Sequence, residues 1–241
     1  MSAAPNRPIV VAIDGPAASG KSSTARWVAE RLRFHHVDSG ALYRAVTLLA
    51  MREHGPDASA WDDQALAREA ERVTLTPVPA GFDPALDGAS VAEAVRSPDV
   101  TRNVSAVAQM PAVRAWVNDH VREVARSRSV VVDGRDIGTV VFPDASLKVF
   151  LVADPWERAR RRLLQTLGRA PADAEIAAET ARLVERDARD ATQTVQARDA
   201  VLIDTTFLTQ PEQVERIVAL VRALPGAGAE AGPAVGTDAS A

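Results

Sequence analysis

Short runs of β-branched and apolar residues alternate along this chain with longer stretches whose apolar positions recur every three or four residues. Ile9–Ile13, His36–Val37, Ser129–Asp133, Leu147–Val152 and Ala200–Ile203 read as strands. Lys21–Arg33, Gly40–Glu53, Asp62–Arg72, Pro111–Ser127, Pro155–Leu167, Asp173–Asp190 and Gln210–Ala223 read as helices. In the first of these Ala25, Val28, Ala29 and Leu32 share one face. Such alternation predicts an α/β fold, a parallel sheet with helices on both faces. Val73–Val78, Phe82–Leu86 and Ala89–Val91 break the rhythm, being short and separated by Pro and Gly. They predict a small antiparallel meander inserted in the α/β frame. Beyond Leu224 the chain is rich in Gly and Pro and poor in bulky apolar residues, which predicts a disordered tail over 225–241.

Within this frame the stretch Val10 to Ser23 carries the most chemistry. An apolar strand leads into Gly15-Pro16-Ala17-Ala18-Ser19-Gly20-Lys21-Ser22, a full G-x-x-x-x-G-K-S match, and a helical pattern follows at once. Strand, glycine loop and helix start are the context in which this motif has meaning. The glycines let the backbone wrap closely around phosphates, and N–H groups at the helix start point at the anion. Lys21, expected on an exposed loop, would neutralise the outer phosphates, and Ser22 would offer its hydroxyl to Mg²⁺. Lys21 and Lys148 are the only lysines in a chain otherwise rich in arginine. A compact ammonium at this point is therefore a specific choice. The motif implies binding of a nucleoside triphosphate.

Two further clusters follow strand ends. In Asp38-Ser39-Gly40-Ala41-Leu42-Tyr43-Arg44, Ser39 is placed to cap a helix, with Tyr43 and Arg44 on its first turns. Such an arginine suits either a second phosphate or plain solvent. In Val130-Val131-Val132-Asp133-Gly134-Arg135-Asp136 an apolar strand ends in an acid, placed to support hydrated Mg²⁺. Gly134-Arg135-Asp136 then leaves the edge where ligands bind in open α/β sheets. Arg158, Arg161 and Arg162 share a helical face, and Arg186, Arg189 and Asp190 repeat that spacing later. An isolated run of this kind is a solvated face; beside a phosphate loop it reads better as an arginine lid. His35 and His36 read as structural.

Composition narrows the partners. The 241 residues carry a net charge of −4 with a pI near 5.6, which argues against binding nucleic acid or an anionic membrane. There is no cysteine, so neither a disulfide framework nor a thiolate metal site is available. No apolar run reaches the length of a membrane span, and Met1 to Pro8 lacks a hydrophobic signal segment. A cytoplasmic, monomeric enzyme is the expectation.

Taken together, I-D-G-P-A-A-S-G-K-S-S, D-S-G-A-L-Y-R, N-V-S-A-V-A-Q-M-P-A-V-R, D-G-R-D-I-G-T-V-V-F-P-D-A, E-R-A-R-R-R and E-R-D-A-R-D resemble the bacterial cytidylate kinases, nucleoside monophosphate kinases acting on CMP and dCMP. The resemblance covers nearly the whole chain up to about Leu224. It implies a three-layer P-loop kinase fold over 1–224, with a monophosphate-binding insert at about 39–110 and a helical lid at about 155–193. It also implies ATP and Mg²⁺. Gly15, Pro16, Ala17, Ala18, Ser19, Gly20, Lys21, Ser22, Ser23 and Arg158 would bind ATP. Ser39, Tyr43, Arg44 and Arg135 would surround the CMP phosphate, Ser105, Arg114 and Asp136 the cytosine, and Arg186 with Asp190 the ribose. Lys21, Arg135, Arg158 and Arg162 would carry catalysis, with Ser22 and Asp133 supporting the metal. One departure stands out. The family usually places a further arginine three residues after Asp190, where this chain has Gln193, and the stretch before the last strand is shortened.

The residues suit that chemistry. A phosphate monoester is already an anionic nucleophile near neutral pH, so transfer reduces to positioning and charge neutralisation. Two other readings of the same loop exist. A shikimate or thymidylate kinase would need different acceptor motifs. A nucleotide switch of the GTPase type would need N-K-x-D, and neither lysine follows an Asn.

Overall fold

In the computed structural model, residues 8–79 and 81–225 are described. The elements run β1 (Val10–Asp14), α1 (Lys21–Leu32), β2 (His35–Asp38), α2 (Ser39–His54), α3 (Asp63–Glu69), β3 (Val73–Val78), β4 (Gly81–Leu86), β5 (Ala89–Ser90) and α4 (Pro98–Val107). They continue with α5 (Pro111–Ala125), β6 (Val130–Asp133), β7 (Leu147–Val152), α6 (Pro155–Leu167), α7 (Asp173–Arg189), β8 (Val201–Asp204) and α8 (Gln210–Arg222). Strands β2, β6, β1, β7 and β8 lie side by side in that order, all parallel.

Alternate side chains of the central strands serve two apolar layers, as the period of a strand demands. Val11 and Ile13 of β1 join Val28 and Ala29 of α1 and Val214 and Ile217 of α8 on one face. Ala12 joins Leu42 and Leu49 of α2 and Val113, Trp116 and Val121 of α5 on the other. A third, small cluster of Ala17, Ala159, Ile176 and Leu183 ties α6 and α7 to the loop after β1. Among the described residues no helix is long and apolar enough to cross a membrane.

The meander differs from expectation in one respect. Strands β3 and β4 pair antiparallel, but β4 also meets β2 in parallel at His36 and Gly81, so the insert extends the central sheet. A Cβ at Gly81 would collide with the carbonyl oxygen of His36, which explains why this junction takes glycine. Helix α4 and the turn after β6 were not expected. Helix α4 is short and, although Val100, Val104 and Val107 recur at helical spacing and are buried, it holds Asp99, Thr101 and Asn103, which are weak helix formers. Ile137–Val141 forms a wide turn in which Phe142 N–H donates to Ile137 O at 2.7 Å. Helix α3 ends at Glu69 and tightens into a 3-10 turn over Ala70–Arg72. Helix α2 is capped by Asp38, whose carboxylate accepts the Ala41 N–H at 3.1 Å; Ser39, expected to cap, is already its first residue. Residues 226–241, on which the tail expectation falls, lie outside the described residues.

Gly15 joins β1 to the phosphate loop with φ +146°, and a Cβ there would fall on the carbonyl oxygen of Leu151 in β7. Gly15→Ala is expected to push β1 and β7 apart at this edge, at a cost of about 1–3 kcal/mol. A urea midpoint equal to that of the parent protein would contradict this account.

Candidate active site

Register brings the functional segments to one edge. Ile13 pairs with Asp133, and Asp133 with Asp38, so β1, β6 and β2 end level with one another. From their carboxyl ends leave the loop Gly15–Gly20, Ser39 at the start of α2, and Gly134-Arg135-Asp136. Ala18 (φ 57°) and Gly20 (φ 88°) adopt left-handed backbone, which curls the loop over the start of α1. Such curled loops gather N–H groups into an anion cradle.

Lys21 departs from the expected exposed position and is only 6% exposed. Its Nζ folds back to donate to Pro16 O at 2.6 Å and Ser19 Oγ at 3.4 Å. Burial, then the neighbouring Arg135, holds its pKa well below the ordinary lysine value, while Asp133 and Asp14 oppose that shift. A phosphate beside this ammonium would restore its preference for charge.

The loop forms one wall of a cavity of about 910 Å³. Among the described residues, nine lysine and arginine side chains line it against four aspartates. Ala17 through Ser23 line it at one end, and Ser39, Tyr43, Arg44, Ser105, Arg114, Arg135, Asp136, Arg186 and Asp190 line it toward the insert. Gly15, Pro16 and Arg158 do not line it.

At the insert end, Arg114 pairs with Asp136 and also donates to Ala108 O at 3.0 Å. Burial raises the Asp136 pKa, and Arg114 works against that rise. Among the described residues the buried Tyr43 hydroxyl has no hydrogen-bond partner, and burial pushes its pKa up to about 12. Arg44 is held by Thr101 Oγ1 at 2.9 Å and Val95 O at 3.3 Å. Arg135 reaches Gly15 O at 3.2 Å and stands 3.5 Å from Asp190, which also faces Arg186 at 3.7 Å. Burial lowers the Arg186 pKa to about 10, with repulsion from Arg135 and Arg44 adding to it. These guanidiniums crowd one another at a point where a bound anion would relieve the repulsion.

Between the two ends lies Asp133. Its Oδ2 accepts from Ser22 Oγ at 2.5 Å, its Oδ1 meets His36 Nε2 at 2.7 Å, and its main-chain oxygen accepts from Ser39 Oγ at 2.8 Å. The hydroxyl of Ser22 and the carboxylate of Asp133 are hard oxygen donors of the kind Mg²⁺ takes together with phosphates. Among the described residues no group of three or more His, Cys, Asp or Glu side chains stands ready to hold a metal alone. The donors present thus fit an ion shared with a nucleotide.

The arginines of α6 divide. Arg162 lines the cavity and pairs with Glu179 at 2.9 Å. Arg161 donates to Thr205 O at 2.5 Å and Thr206 O at 2.8 Å. Arg158, expected to touch ATP and to act in catalysis, is instead 3% exposed. It pairs with Asp187 at 2.7 Å and donates to Ala17 O at 2.8 Å, while Asp187 accepts the Ala17 N–H at 3.2 Å. A guanidinium this buried requires such partners. In this arrangement it clamps α6 and α7 to the phosphate loop from behind.

His36, expected to be structural, is buried and bonded to Asp133. Other residues near the site carry no sequence signal or a weak one. Arg96 lines the cavity from the segment before α4, with no periodic signal to mark it. Asp14, in the quoted motif but given no role, is 4% exposed; an acid ending a buried strand was the available signal.

Burial disfavours charge on His36, but the hydrogen bond and charge of Asp133 outweigh it and raise its pKa above 6.5. The stabilisation from that raised pKa is full below the unfolded value and declines as pH rises through the folded one. His36→Leu is expected to cost about 1–3 kcal/mol by leaving Asp133 Oδ1 without its partner. Thermal unfolding should show a larger gap between parent and variant at pH 6 than at pH 9; an equal gap would contradict the pairing.

Comparison with known proteins agrees with this geometry. The family model described as cytidylate kinase matches residues 11–223. A cytidylate kinase of Chlorobaculum tepidum is 44% identical over 224 residues, covering 89% of this chain and 93% of that protein. One from Limosilactobacillus fermentum is 44% identical over 217 residues, covering 87% of this chain and 93% of that protein. A bifunctional pantoate ligase/cytidylate kinase of Synechococcus is 44% identical over 227 residues, covering 90% of this chain and 41% of that protein. With a phosphate loop, a serine bonded to a buried acid and an arginine-lined second end in one cleft, and these matches along nearly its whole length, the chain belongs to the cytidylate kinase family.

Proposed function

We propose that the protein transfers the γ-phosphoryl group of ATP to CMP and dCMP, giving ADP with CDP or dCDP. The observation that carries this reading is the single cavity that joins the phosphate loop at Lys21 to the paired Arg114 and Asp136. A phosphate loop alone suits any triphosphate user; the second, arginine-lined end supplies a place for a monophosphate acceptor. We take 39–110 as the acceptor-binding insert and 155–193 as the lid.

Each end has a separate task. The loop Gly15–Ser23 holds the ATP phosphates, with Lys21 against the outer ones. Arg44 and Arg135 hold the acceptor phosphate, helped by Ser39 and Tyr43, and bring one of its oxygens in line with the γ-phosphorus. That oxygen forms the new bond as the bond to the departing ADP breaks. The acceptor arrives ionised, so no side chain has to remove a proton. Arg135 and Arg162 spread positive charge over the moving group, which is where preorganised charge lowers a barrier most. Ser22 and Asp133 would hold Mg²⁺, which when bound neutralises phosphate charge. Arg186 and Asp190 take the ribose.

Base choice rests on Asp136, with Arg114 and Ser105. Cytosine presents an amino donor at N4 and acceptors at N3 and O2, whereas uracil carries an acceptor at position 4. A carboxylate facing N4 favours CMP and repels UMP. The acceptors are small molecules, and we place the enzyme in the cytoplasm as a monomer that binds neither nucleic acid nor membrane.

A coupled assay for ADP across a panel of nucleoside monophosphates tests the assignment, with CMP and dCMP expected to give the highest kcat/KM. If another monophosphate is preferred, the acceptor is misassigned. Asp136→Asn should reduce the CMP-to-UMP ratio in kcat/KM by roughly tenfold, because a charge-assisted hydrogen bond is replaced by a neutral amide. An unchanged ratio would remove Asp136 from base recognition.

Gln193 lines the cavity, and its N–H donates to the Asp190 carbonyl at 3.0 Å. An amide here gives hydrogen bonds without the charge that an arginine would add. Gln193→Arg is expected to lower the KM for CMP about tenfold, with little change in that for ATP. Steady-state kinetics with CMP varied at saturating ATP decides the point, and an unchanged or raised CMP KM refutes it.

A further inference from the structure

The carboxylate of Asp14 is used in full by the backbone of a distant turn. Its Oδ1 accepts the Ile137 N–H at 2.8 Å and its Oδ2 the Gly138 N–H at 2.7 Å. These two amides open the wide turn Ile137–Val141, where first-turn N–H groups have no carbonyl of their own turn to bond. The residues just before them are Arg135 and Asp136. Arg135 in turn donates to the carbonyl of Gly15, the residue after Asp14. The end of β1 therefore grips the segment Arg135–Gly138 at three points, two through the Asp14 side chain and one through the Gly15 main chain. The turn also packs tightly on Lys148: a Cβ on Gly138 would stand 3.2 Å from its methylenes, and at an ordinary contact distance of 3.4 Å from Asp14 Oδ2. Asp14 faces Lys21, which favours its charge, and Asp136, which opposes it; burial is the larger influence and raises its pKa to about 6.

We propose that Asp14 is a positioning residue for acceptor recognition: by holding the Ile137 and Gly138 amides it sets where Arg135 and Asp136 meet the acceptor nucleotide. Its effect falls on acceptor affinity and base choice, although Asp14 borders the ATP loop in sequence. This inference rests on the acceptor site described under Proposed function.

Asp14→Asn separates this role from general support of the fold. The amide keeps one acceptor oxygen but presents an NH₂ to the second backbone N–H, so one of the two bonds is lost. The KM for CMP is expected to rise tenfold or more and the CMP-to-UMP ratio in kcat/KM to fall about tenfold, with the KM for ATP within twofold of the parent. Gly138→Ala, whose added methyl presses on the Lys148 methylenes and so displaces the same turn, should shift the same parameters in a milder form and serves if Asp14→Asn does not fold. A rise in the ATP KM equal to or above that for CMP would overturn the proposal, as would no change in either. If the parent protein turns over a different monophosphate and not CMP, the proposed acceptor fails, while the split between acceptor and donor KM still decides the role of Asp14.

Discussion

Positive charge concentrated in a cleft repels itself, and the structure depends on how buried carboxylates contain that repulsion. Lys21, Arg44 and Arg186 each have their charged form disfavoured by burial, and Arg135 contributes to the shift of all three. Water screens such charges poorly once they are enclosed. The aspartates answer in pairs and forks. Asp190 stands between Arg135 and Arg186, Asp136 takes Arg114, Asp187 takes Arg158, and Asp133 is divided between Ser22 and His36. A cleft balanced in this way keeps the cations in place and leaves an excess suited to polyanionic ligands.

Aspartates also tie separate elements to one another. Asp187 and Arg158 together engage both the N–H and the carbonyl of Ala17, so α6 and α7 are coupled to the phosphate loop through one residue's backbone. Asp133 joins three elements, since its partners Ser22, His36 and Ser39 belong to α1, β2 and α2. Changing one of these acids alters the neighbouring charges as well as one bond. Effects at such sites should therefore be non-additive.

Much of this was legible before the fold. Strand β7 and helix α6 appear with the bounds that periodicity indicates, and β1, β2, β6 and β8 differ by a residue or two at their ends. Helix α4 keeps Val100, Val104 and Val107 at helical spacing, but its β-branched and short polar residues are weak helix formers and hide it, while the junction of β4 with β2 is hidden because a single bridge leaves no periodic trace. At the site, Ala17–Ser23, Ser39, Tyr43, Arg44 and Asp136, all within motifs that stand out in the sequence, line one cavity. Arg158 shows where that reasoning stops. Helical spacing put it with Arg161 and Arg162, but spacing does not say which side of the helix faces the cleft.

The order of apolar and polar residues by itself determined that this chain forms a parallel sheet with helices on both faces and that a phosphate loop opens its first helix. These are local consequences of side-chain period and of glycine, lysine and serine at fixed offsets. Only the tertiary structure decided that Asp14 would hold the turn after Asp136, that His36 would face Asp133, and that Lys21 would be enclosed. Each depends on parallel strands, far apart in sequence, ending level at one edge, and that register is set by the packing of both faces at once.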